Sequence, residues 1–329
     1  MTNPVLIGVI AALFAAIAWS FSFIVPSVIG AYSIFDYALL EFVLSGLLSG
    51  GLLLFKLELL RGLGARDWLV AGWLGCIGFL GYFLALTGAT INAGPVIAPA
   101  FLGSVPVVLA IAGNLRQHTV RWKSLIVPLT LAFVGLLLVN GSNWGASGTV
   151  RARSLPIGIA LALLAVFLWT WFGLLNQSAL ARRPRMDDGV WTGIMMVGAG
   201  AGMLAFLPFG LMAGVFAIPR LGLHWDVAAP LYRWTVGLAL TQNIGAAWAW
   251  TVASRRLPVA LAAQLITMEP TFGTIFGLIV RRQWPTPAEG VGMALLLIGV
   301  AISIRVFHAP AYRRAVMMPD TGAPPATGG

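Results

Sequence analysis

The chain has 329 residues, of which 59% are hydrophobic and only 9% charged, with a formal net charge of +10. Its apolar residues fall into blocks of about 18 to 25, the length that crosses a lipid bilayer. Lys and Arg stand at the ends of these blocks and not in a stripe with stacking aromatics, which argues against nucleic acid as a partner. The single cysteine, Cys76, excludes a disulfide framework within one chain.

Ten apolar blocks predict an all-α polytopic membrane protein. The first half of the chain, residues 1–139, holds five of them, and residues 155–307 hold the other five. A Gly- and Ser-rich external linker is expected at 140–154, and a disordered cytoplasmic tail at 308–329. The predicted spans are Val5–Val25, Phe35–Phe55, Trp68–Ala89, Pro95–Leu115, Ser124–Val139, Leu155–Asn176, Trp191–Val215, Leu231–Ala253, Pro258–Val280 and Glu289–Val306.

Basic residues predict the orientation. With ten spans, fourteen Lys and Arg residues fall on one side of the membrane and six on the other. Because Lys and Arg favour cytoplasmic loops, both termini are expected in the cytoplasm and the linker outside.

The two halves resemble each other in sequence. An offset of 164 residues relates Gly81 to Gly245, Pro106 to Pro270 and Gly135 to Gly299. An offset of 150 relates Trp19 to Trp169. Since each half has an odd number of spans, the second half must enter the membrane from the opposite face. This inverted repeat is a recurring plan of secondary transporters.

Aromatic residues supply the first candidates for a substrate site. Trp19 and Trp169 each stand on a helical face lined by small residues and are predicted to extend into a central cavity, with interfacial anchoring as the alternative. Tyr82 and Phe101 are further candidates, with simple packing as the alternative. Tryptophans near span ends, such as Trp191, are interpreted as interfacial anchors.

Amide side chains within the spans supply the polar candidates. Asn176 lies at the end of span six, Gln242 and Asn243 lie in span eight, and Gln264 lies in span nine. They could bind the amino or carboxylate group of a substrate. The alternative is hydrogen bonding between helices, which contributes only about 0.6 kcal/mol on average in a membrane.

Span nine carries Glu269 followed by Pro270 near its middle. Proline has no amide hydrogen, so the helix should bend and leave the Ile266 carbonyl without its partner. A carboxylate and a broken backbone are tolerated in a membrane only where they face protein or water. The segment, together with the matching Pro106, is therefore predicted to belong to the working site.

Two acids are candidates for coupling to a proton gradient. Glu41 lies about a turn and a half into span two without a basic partner within a span, and Glu269 lies beside the predicted bend. Either carboxyl could accept and release a proton, but Glu269 could equally brace the bend at Pro270. Asp36 is expected to cap the start of span two.

Several segments resemble the drug/metabolite transporter superfamily of ten-helix EamA type. They are MEPTFGTIFGLIV at 268–280, GMALLLIGVAIS in span ten, SVPVVLAIAG at 104–113 and LAFVGLLLVN at 131–140. Within the superfamily, NLRQHTVRWKSLIVPLTLAFVGLLLVN and the DDGVWTG that opens span seven are similar to bacterial aromatic amino-acid exporters. The resemblance implies a multi-pass protein of a bacterial inner membrane.

The sequence therefore predicts a secondary transporter that exports small metabolites, preferably aromatic and other neutral amino acids. The alternatives are export of other metabolites or lipophilic drugs, and a membrane-embedded enzyme or scaffold. No phosphate-binding loop or hydrolase motif is present, and no cofactor, metal or catalytic residue is predicted. The oligomeric state stays open, because the Gly46/Gly50 and Gly273/Gly277 spacings could pack helices within one chain or between two.

Overall fold

The computed structural model describes residues 4–102, 104–117, 122–141 and 154–308, which are almost entirely helical and contain no strand. A helix satisfies its backbone groups internally, as hydrocarbon requires. The α-helices are α1 (Pro4–Ser20), α2 (Val25–Val28), α3 (Ile34–Leu54), α4 (Leu57–Arg61), α5 (Ala65–Gly75), α6 (Tyr82–Leu102), α7 (Val105–Gln117), α8 (Trp122–Gly141), α9 (Leu155–Ala181), α10 (Asp188–Met212), α11 (Ile218–Leu221), α12 (Trp225–Leu238), α13 (Ala247–Arg256), α14 (Val259–Ile266), α15 (Met268–Arg281) and α16 (Pro287–His308).

Eight helical segments in the described residues are long and apolar enough to cross a membrane. A further apolar helix, Val107–Arg116 within α7, is shorter. The predicted eighth span, Leu231–Ala253, is helical but is not among the eight. The all-α polytopic fold is thus confirmed, whereas the count of ten spans is not. Most of the predicted linker and tail lies outside the described residues.

Two π-helical turns interrupt longer helical runs. The first, π1, is Cys76–Gly81 between α5 and α6, and the second, π2, is Ala239–Ala246 between α12 and α13. Gly81 and Gly245 occupy equivalent places in them: a Cβ added to either would lie 3.2 Å from the carbonyl oxygen five residues earlier. The two turns are therefore related by the same offset of 164 residues as the two glycines. Such π turns occur frequently at functional sites.

The most extensive helix contacts join the two halves of the chain. α6 packs on α9, α8 on α16, α3 on α10, α1 on α13 and α7 on α14. Each pair combines one helix that ends before residue 142 with one that begins after residue 153. Helices of both halves therefore pack together in the interior of the protein.

Small residues allow these contacts to be close. A methyl group added to Gly135 would lie 2.8 Å from the Gly292 carbonyl oxygen, and one added to Gly292 would lie 2.8 Å from the Gly135 carbonyl oxygen. Elsewhere, Gly8 packs on Leu257 and Gly158 packs on Ala93. Offsets of 150 and 164 relate Gly8 to Gly158 and Ala93 to Leu257, so the same contact occurs twice.

The chain breaks between α14 and α15, as the Glu269-Pro270 pair predicted. Helix α14 ends at Ile266, and Thr267 forms the turn, with its hydroxyl donating to the Gln264 carbonyl oxygen at 2.6 Å. Glu269 and Pro270 lie in the first turn of α15, where the missing proline amide costs no hydrogen bond. The two half-helices therefore share one span with an interruption inside it.

Spans three and four join differently from the prediction. Residues 90–94, expected to be a loop, belong to α6, and the chain turns near Ser104 instead. Thr90 donates from its hydroxyl to the Leu86 carbonyl oxygen at 3.0 Å, and the Asn92 amide donates to the Gly88 carbonyl oxygen at 2.8 Å. Because these polar side chains bond to their own helix one turn back, they do not end it.

Candidate substrate site

Trp19 and Trp169, the pair related by the 150-residue offset, meet at the interface of the two halves. Their ring centroids lie 5.4 Å apart with the ring planes at 82°, an edge-to-face contact. Trp19 is the second-last residue of α1, and Trp169 lies in the second half of α9. Both side chains are buried. The sequence predicted that the two residues would face a common centre, and the structure places them in direct contact.

Four further rings complete what we call the aromatic cluster. Its members are Trp19, Phe79, Tyr82, Trp169, Phe172 and Trp250. Trp250 of α13 lies 5.8 Å from Trp19 and 6.0 Å from Trp169, centroid to centroid. Phe79 comes from π1. Edge-to-face and tilted aromatic pairs of this kind gain about 0.5 to 1.5 kcal/mol each beyond the burial of their surface.

Gln242 lies beside the aromatic cluster within π2. Its backbone carbonyl oxygen accepts a hydrogen bond from the indole Nε1 of Trp19 at 3.3 Å. The side chain is 5% exposed, and its Nε2 has no hydrogen-bond partner among the described residues. A buried amide donor next to aromatic rings can bind a carboxylate or carbonyl oxygen of a guest molecule.

Asn243 leads from π2 to the acid of span two. Its Nδ2 donates to the Ser45 hydroxyl at 3.2 Å, and that hydroxyl donates to the Glu41 carbonyl oxygen at 2.6 Å. Glu41 is 4% exposed, and no described residue forms a hydrogen bond with its Oε1. A chain of two hydrogen bonds through Ser45 therefore connects the Asn243 side chain to the Glu41 backbone.

Glu269 lies near one member of the aromatic cluster, Tyr82. Its carboxyl is within electrostatic reach of the Tyr82 hydroxyl, and the Tyr82 ring lies 4.9 Å from the Trp169 ring. Glu269 and Pro270 are partly buried at the start of α15. The acid beside the helix interruption is thus close to the aromatic cluster.

Gln264 is the most isolated polar side chain of the core. It is fully buried, and within the described part of the chain neither its Oε1 nor its Nε2 has a hydrogen-bond partner. Thr271, on the other side of the interruption between α14 and α15, is 2% exposed, and its hydroxyl likewise has no hydrogen-bond partner among the described residues. Leaving such a group unsatisfied costs about 1 to 3 kcal/mol. A substrate or water molecule that bonded to them would recover that free energy.

Asn176 is bonded to a neighbouring helix through its side-chain oxygen only, since its buried Nδ2 has no hydrogen-bond partner among the described residues. Its Oδ1 accepts a hydrogen bond from the indole Nε1 of Trp191 at 2.8 Å. Trp191 is fully buried, so its interpretation as an interfacial anchor is wrong. The reason is that α10 begins with buried residues, where an indole that finds an amide acceptor is satisfied inside the protein.

Phe101 and Pro106 flank the turn between α6 and α7. Phe101 is partly buried and packs against the core near Ala89 and Leu161. Pro106 lies in the first turn of α7. The part of either residue in binding or gating stays a prediction.

Ion pairs hold together the end of the molecule formed by the loops after α3, α9 and α13, which we call the basic face. Arg255 donates to Asp188 at 2.6 Å, Arg183 to Asp67 at 2.5 Å and Lys56 to Asp187 at 2.7 Å. Burial alone would raise the pKa of Asp187, but the Lys56 ammonium and the Val190 amide outweigh it and lower the pKa. The Lys56–Asp187 and Arg183–Asp67 pairs join the two halves, whereas the Arg255–Asp188 pair lies within the second half.

A carboxylate fastens the opposite end. Asp36 closes a capping box with Ser33 at the start of α3, as the sequence predicted. The carboxylate also accepts hydrogen bonds from the backbone amides of Ala217 at 3.0 Å and Ile218 at 3.1 Å, in the loop after α10. The Tyr32 hydroxyl donates to the Gly222 carbonyl oxygen at 2.8 Å in the same region. Contacts between the halves are therefore present at both ends of α3.

Sequence reasoning missed half of the aromatic cluster, namely Phe79, Phe172 and Trp250. Phe172 and Trp250 stand among other aromatic residues, Trp171 and Trp248, which are 38% and 49% exposed. Only the helical phase separates the buried rings from the exposed ones, and π2 shifts that phase just before Trp250. The available signal was the three-residue step from Trp169 to Phe172, which keeps both on one face.

Comparison with known proteins identifies the family. Residues 156–305 match the model of the EamA-like transporter family. The chain is 30% identical over 312 residues to inner membrane protein YtfF of Escherichia coli (strain K12), which covers 91% of this chain and 95% of that protein. One protein of known crystal structure superposes on this chain with a TM-score of 0.69 and 21% sequence identity, over 92% of this chain and 98% of the other. The two proteins therefore share a fold. The chain therefore belongs to the EamA-like transporter family of the drug/metabolite transporter superfamily, whose members are membrane transporters of small molecules.

Proposed function

We propose that the protein is a secondary transporter of the inner membrane that exports aromatic and other neutral amino acids by alternating access. The observation that carries the proposal is the aromatic cluster between the halves, with the buried and unpartnered amide of Gln242 beside it. The name of the E. coli relative supports the placement in an inner membrane. Both termini are proposed to lie in the cytoplasm.

The chemistry of the aromatic cluster fits a flat ring. An aromatic side chain of the substrate would replace one of the existing ring contacts, for example that between Trp19 and Trp169, with a contact of similar strength. The amide of Gln242 would hold the carboxylate, and the Glu269 carboxyl near Tyr82 would face the amino group. An aromatic amino acid presents all three groups within one small molecule.

The repeated packing supports alternating access. The Gly8 contact with Leu257 recurs as the Gly158 contact with Ala93, and π1 recurs as π2. If the two halves are inverted repeats, exchanging their conformations converts an opening on one face into an opening on the other. The ion pairs that join the halves on the basic face, Arg183–Asp67 and Lys56–Asp187, and the Asp36 hydrogen bonds at the opposite end are then the two sets of contacts that break in turn.

Glu41 and Glu269 are the proposed coupling residues, with bracing of the helix interruption as the alternative for Glu269. Both carboxyls lie in the interior, away from the ion pairs of the basic face. A carboxyl can bind and release a proton as its surroundings change. Protonation from one side and release to the other would connect substrate export to a pH gradient.

The test is transport by the full-length protein in proteoliposomes. We expect uptake of labelled Phe and Trp, weaker uptake of Thr, and faster transport when a pH gradient is imposed. Transport of a cationic dye without any amino acid would overturn the substrate assignment in favour of lipophilic drugs. Gradient-driven rates that stay unchanged in both Glu41→Gln and Glu269→Gln would remove the two acids from coupling.

A further inference from the structure

A cleft on the basic face carries more positive charge than its surroundings neutralise. Its volume is about 540 Å³, and it opens between α5, α7 and α9. We call it the arginine cleft. It is lined by Arg66, Asp67, Val70, Trp73, Leu74, Arg116, Leu175, Ser178, Ala179, Arg182 and Arg183. Four arginines against one aspartate leave a formal charge of +3.

The arginines converge from three helices. Arg66 lies in the first turn of α5, Arg116 in the last turn of α7, and Arg182 caps the end of α9. The acid of the cleft, Asp67, is occupied by Arg183 at 2.5 Å and interacts more weakly with Arg66. Within the described ranges, the side chains of Arg66, Arg116 and Arg182 form no hydrogen bond and no ion pair. Their donors are therefore available to an anion.

The deeper wall of the arginine cleft is apolar and faces the membrane. Trp73 of α5, which lines the cleft, is 60% exposed. Seven residues separate Arg66 from Trp73, which places the indole about 10 Å deeper along the helix axis. A charged rim above an exposed apolar wall has the polarity of a phospholipid, with its headgroup at the surface and its chains in hydrocarbon.

We propose that the arginine cleft binds the phosphate group of an anionic phospholipid, whose acyl chain lies along Trp73. Guanidinium groups form paired hydrogen bonds with phosphate oxygens, and basic pockets between membrane helices are suited to anionic headgroups. The volume falls within the range of small-molecule sites, about 300 to 1,000 Å³. Arginines that served only to orient the protein in the membrane would not need to converge on one cleft.

The proposal can be tested by lipid binding to the purified full-length protein, measured by native mass spectrometry with phosphatidylglycerol and with phosphatidylcholine. We expect phosphatidylglycerol to be retained preferentially. The double variant Arg116→Gln/Arg182→Gln should bind it roughly 30-fold more weakly, since two charges near the membrane surface are removed. The pair Arg116→Lys/Arg182→Lys keeps the two charges but loses the paired guanidinium donors, so it should bind phosphatidylglycerol more tightly than the Gln variant and less tightly than the unchanged protein.

The matched control is Arg61→Gln/Arg305→Gln, which removes two exposed basic residues outside the arginine cleft. It should leave phosphatidylglycerol binding unchanged, and an equal loss in this control would overturn the proposal. Displacement of the lipid by inorganic phosphate at comparable concentration would also overturn it, since the source of the anion would then be soluble. Arg66→Gln alone, with an expected loss of about fivefold, gives an independent test if the double variant does not fold.

Discussion

At the scale of single residues, Trp169 is the centre of the aromatic cluster. Its ring contacts every other member, from Trp19 on α1 to Trp250 on α13. A substitution there acts on both packing and the proposed substrate contact. Trp171, two residues further along the same helix, is also a tryptophan, but it is exposed and lies outside the aromatic cluster.

We expect Trp169→Phe to lower Phe and Trp uptake at least fivefold and to destabilise the protein by about 1 to 2 kcal/mol, because the smaller ring leaves a void among packed rings. Trp171→Phe should change neither quantity measurably. Uptake per folded molecule in proteoliposomes and thermal unfolding in detergent are the two measurements. Equal effects of the two substitutions would contradict a special place for Trp169.

Gln264 allows stability and function to be separated. Its buried amide has no hydrogen-bond partner among the described residues, so Gln264→Leu removes a cost of about 1 to 3 kcal/mol and should raise the unfolding temperature. If the amide binds substrate, the same change should lower the uptake of amino acids. The result to look for is a more stable protein that transports less.

Gln177 provides the contrast. Its Nε2 donates to the carbonyl oxygens of Leu257 at 2.7 Å and Ser254 at 3.2 Å, so Gln177→Leu leaves acceptors unsatisfied. We expect this variant to unfold at a lower temperature. If Gln264→Leu destabilised the protein to the same extent, the conclusion that the Gln264 amide has no hydrogen-bond partner would be wrong.

At the scale of helices, close approach depends on glycine. A methyl group added to Gly75 at the end of α5 would overlap the Met195 carbonyl group of α10, while one added to Gly51 in α3 would meet no neighbour within 4 Å. Both substitutions raise intrinsic helix propensity by about 1 kcal/mol. Only the first also forces two helices apart.

Gly75→Ala should therefore destabilise the protein by about 1 to 3 kcal/mol through overpacking, whereas Gly51→Ala should be neutral or slightly stabilising. Unfolding temperature in a single detergent compares the two directly. A Gly75→Ala protein as stable as the Gly51→Ala protein would show that α5 and α10 do not pack as described.

The helices and π turns also show which local structural features can be predicted from the sequence. The Glu269-Pro270 pair predicted the interruption of span nine because proline cannot continue the hydrogen-bond ladder. The turns π1 and π2 were not predicted, since a π turn depends on the packing around it and Gly81 and Gly245 are compatible with an ordinary helix. The prediction of a loop at 90–94 was wrong, because the side chains of Thr90 and Asn92 donate hydrogen bonds to carbonyl oxygens of their own helix.

At the scale of the whole molecule, the distribution of basic residues predicts how the protein is oriented in the membrane. A Cys76→Ala background permits single cysteines at Thr2, Ser142 and Thr321. With ten spans, the first and last should be labelled only from the cytoplasmic side by an impermeant maleimide, and the second only from outside. Labelling of Thr2→Cys and Thr321→Cys from different sides would show an odd number of spans and exclude two repeats of five.

The sequence alone determined the class of the fold and the identity of several interior residues. Apolar blocks of spanning length dictate membrane helices, because hydrocarbon admits few other structures. The shared offsets singled out Trp19 with Trp169 and Gly81 with Gly245, since equivalent places in a repeat keep equivalent residues. Neither inference required knowledge of how the helices are arranged.

Only the tertiary structure decided which of these residues meet. Trp250 and Phe79 lie beside Trp19, and Asn176 accepts a hydrogen bond from Trp191. Three arginines whose side chains are unpaired line one cleft. In an apolar helix the lipid-facing and protein-facing sides carry the same residue types, so hydrophobic periodicity does not distinguish them. The choice between them is made by small-residue contacts and buried hydrogen bonds across the two halves, which exist only once the chain is folded.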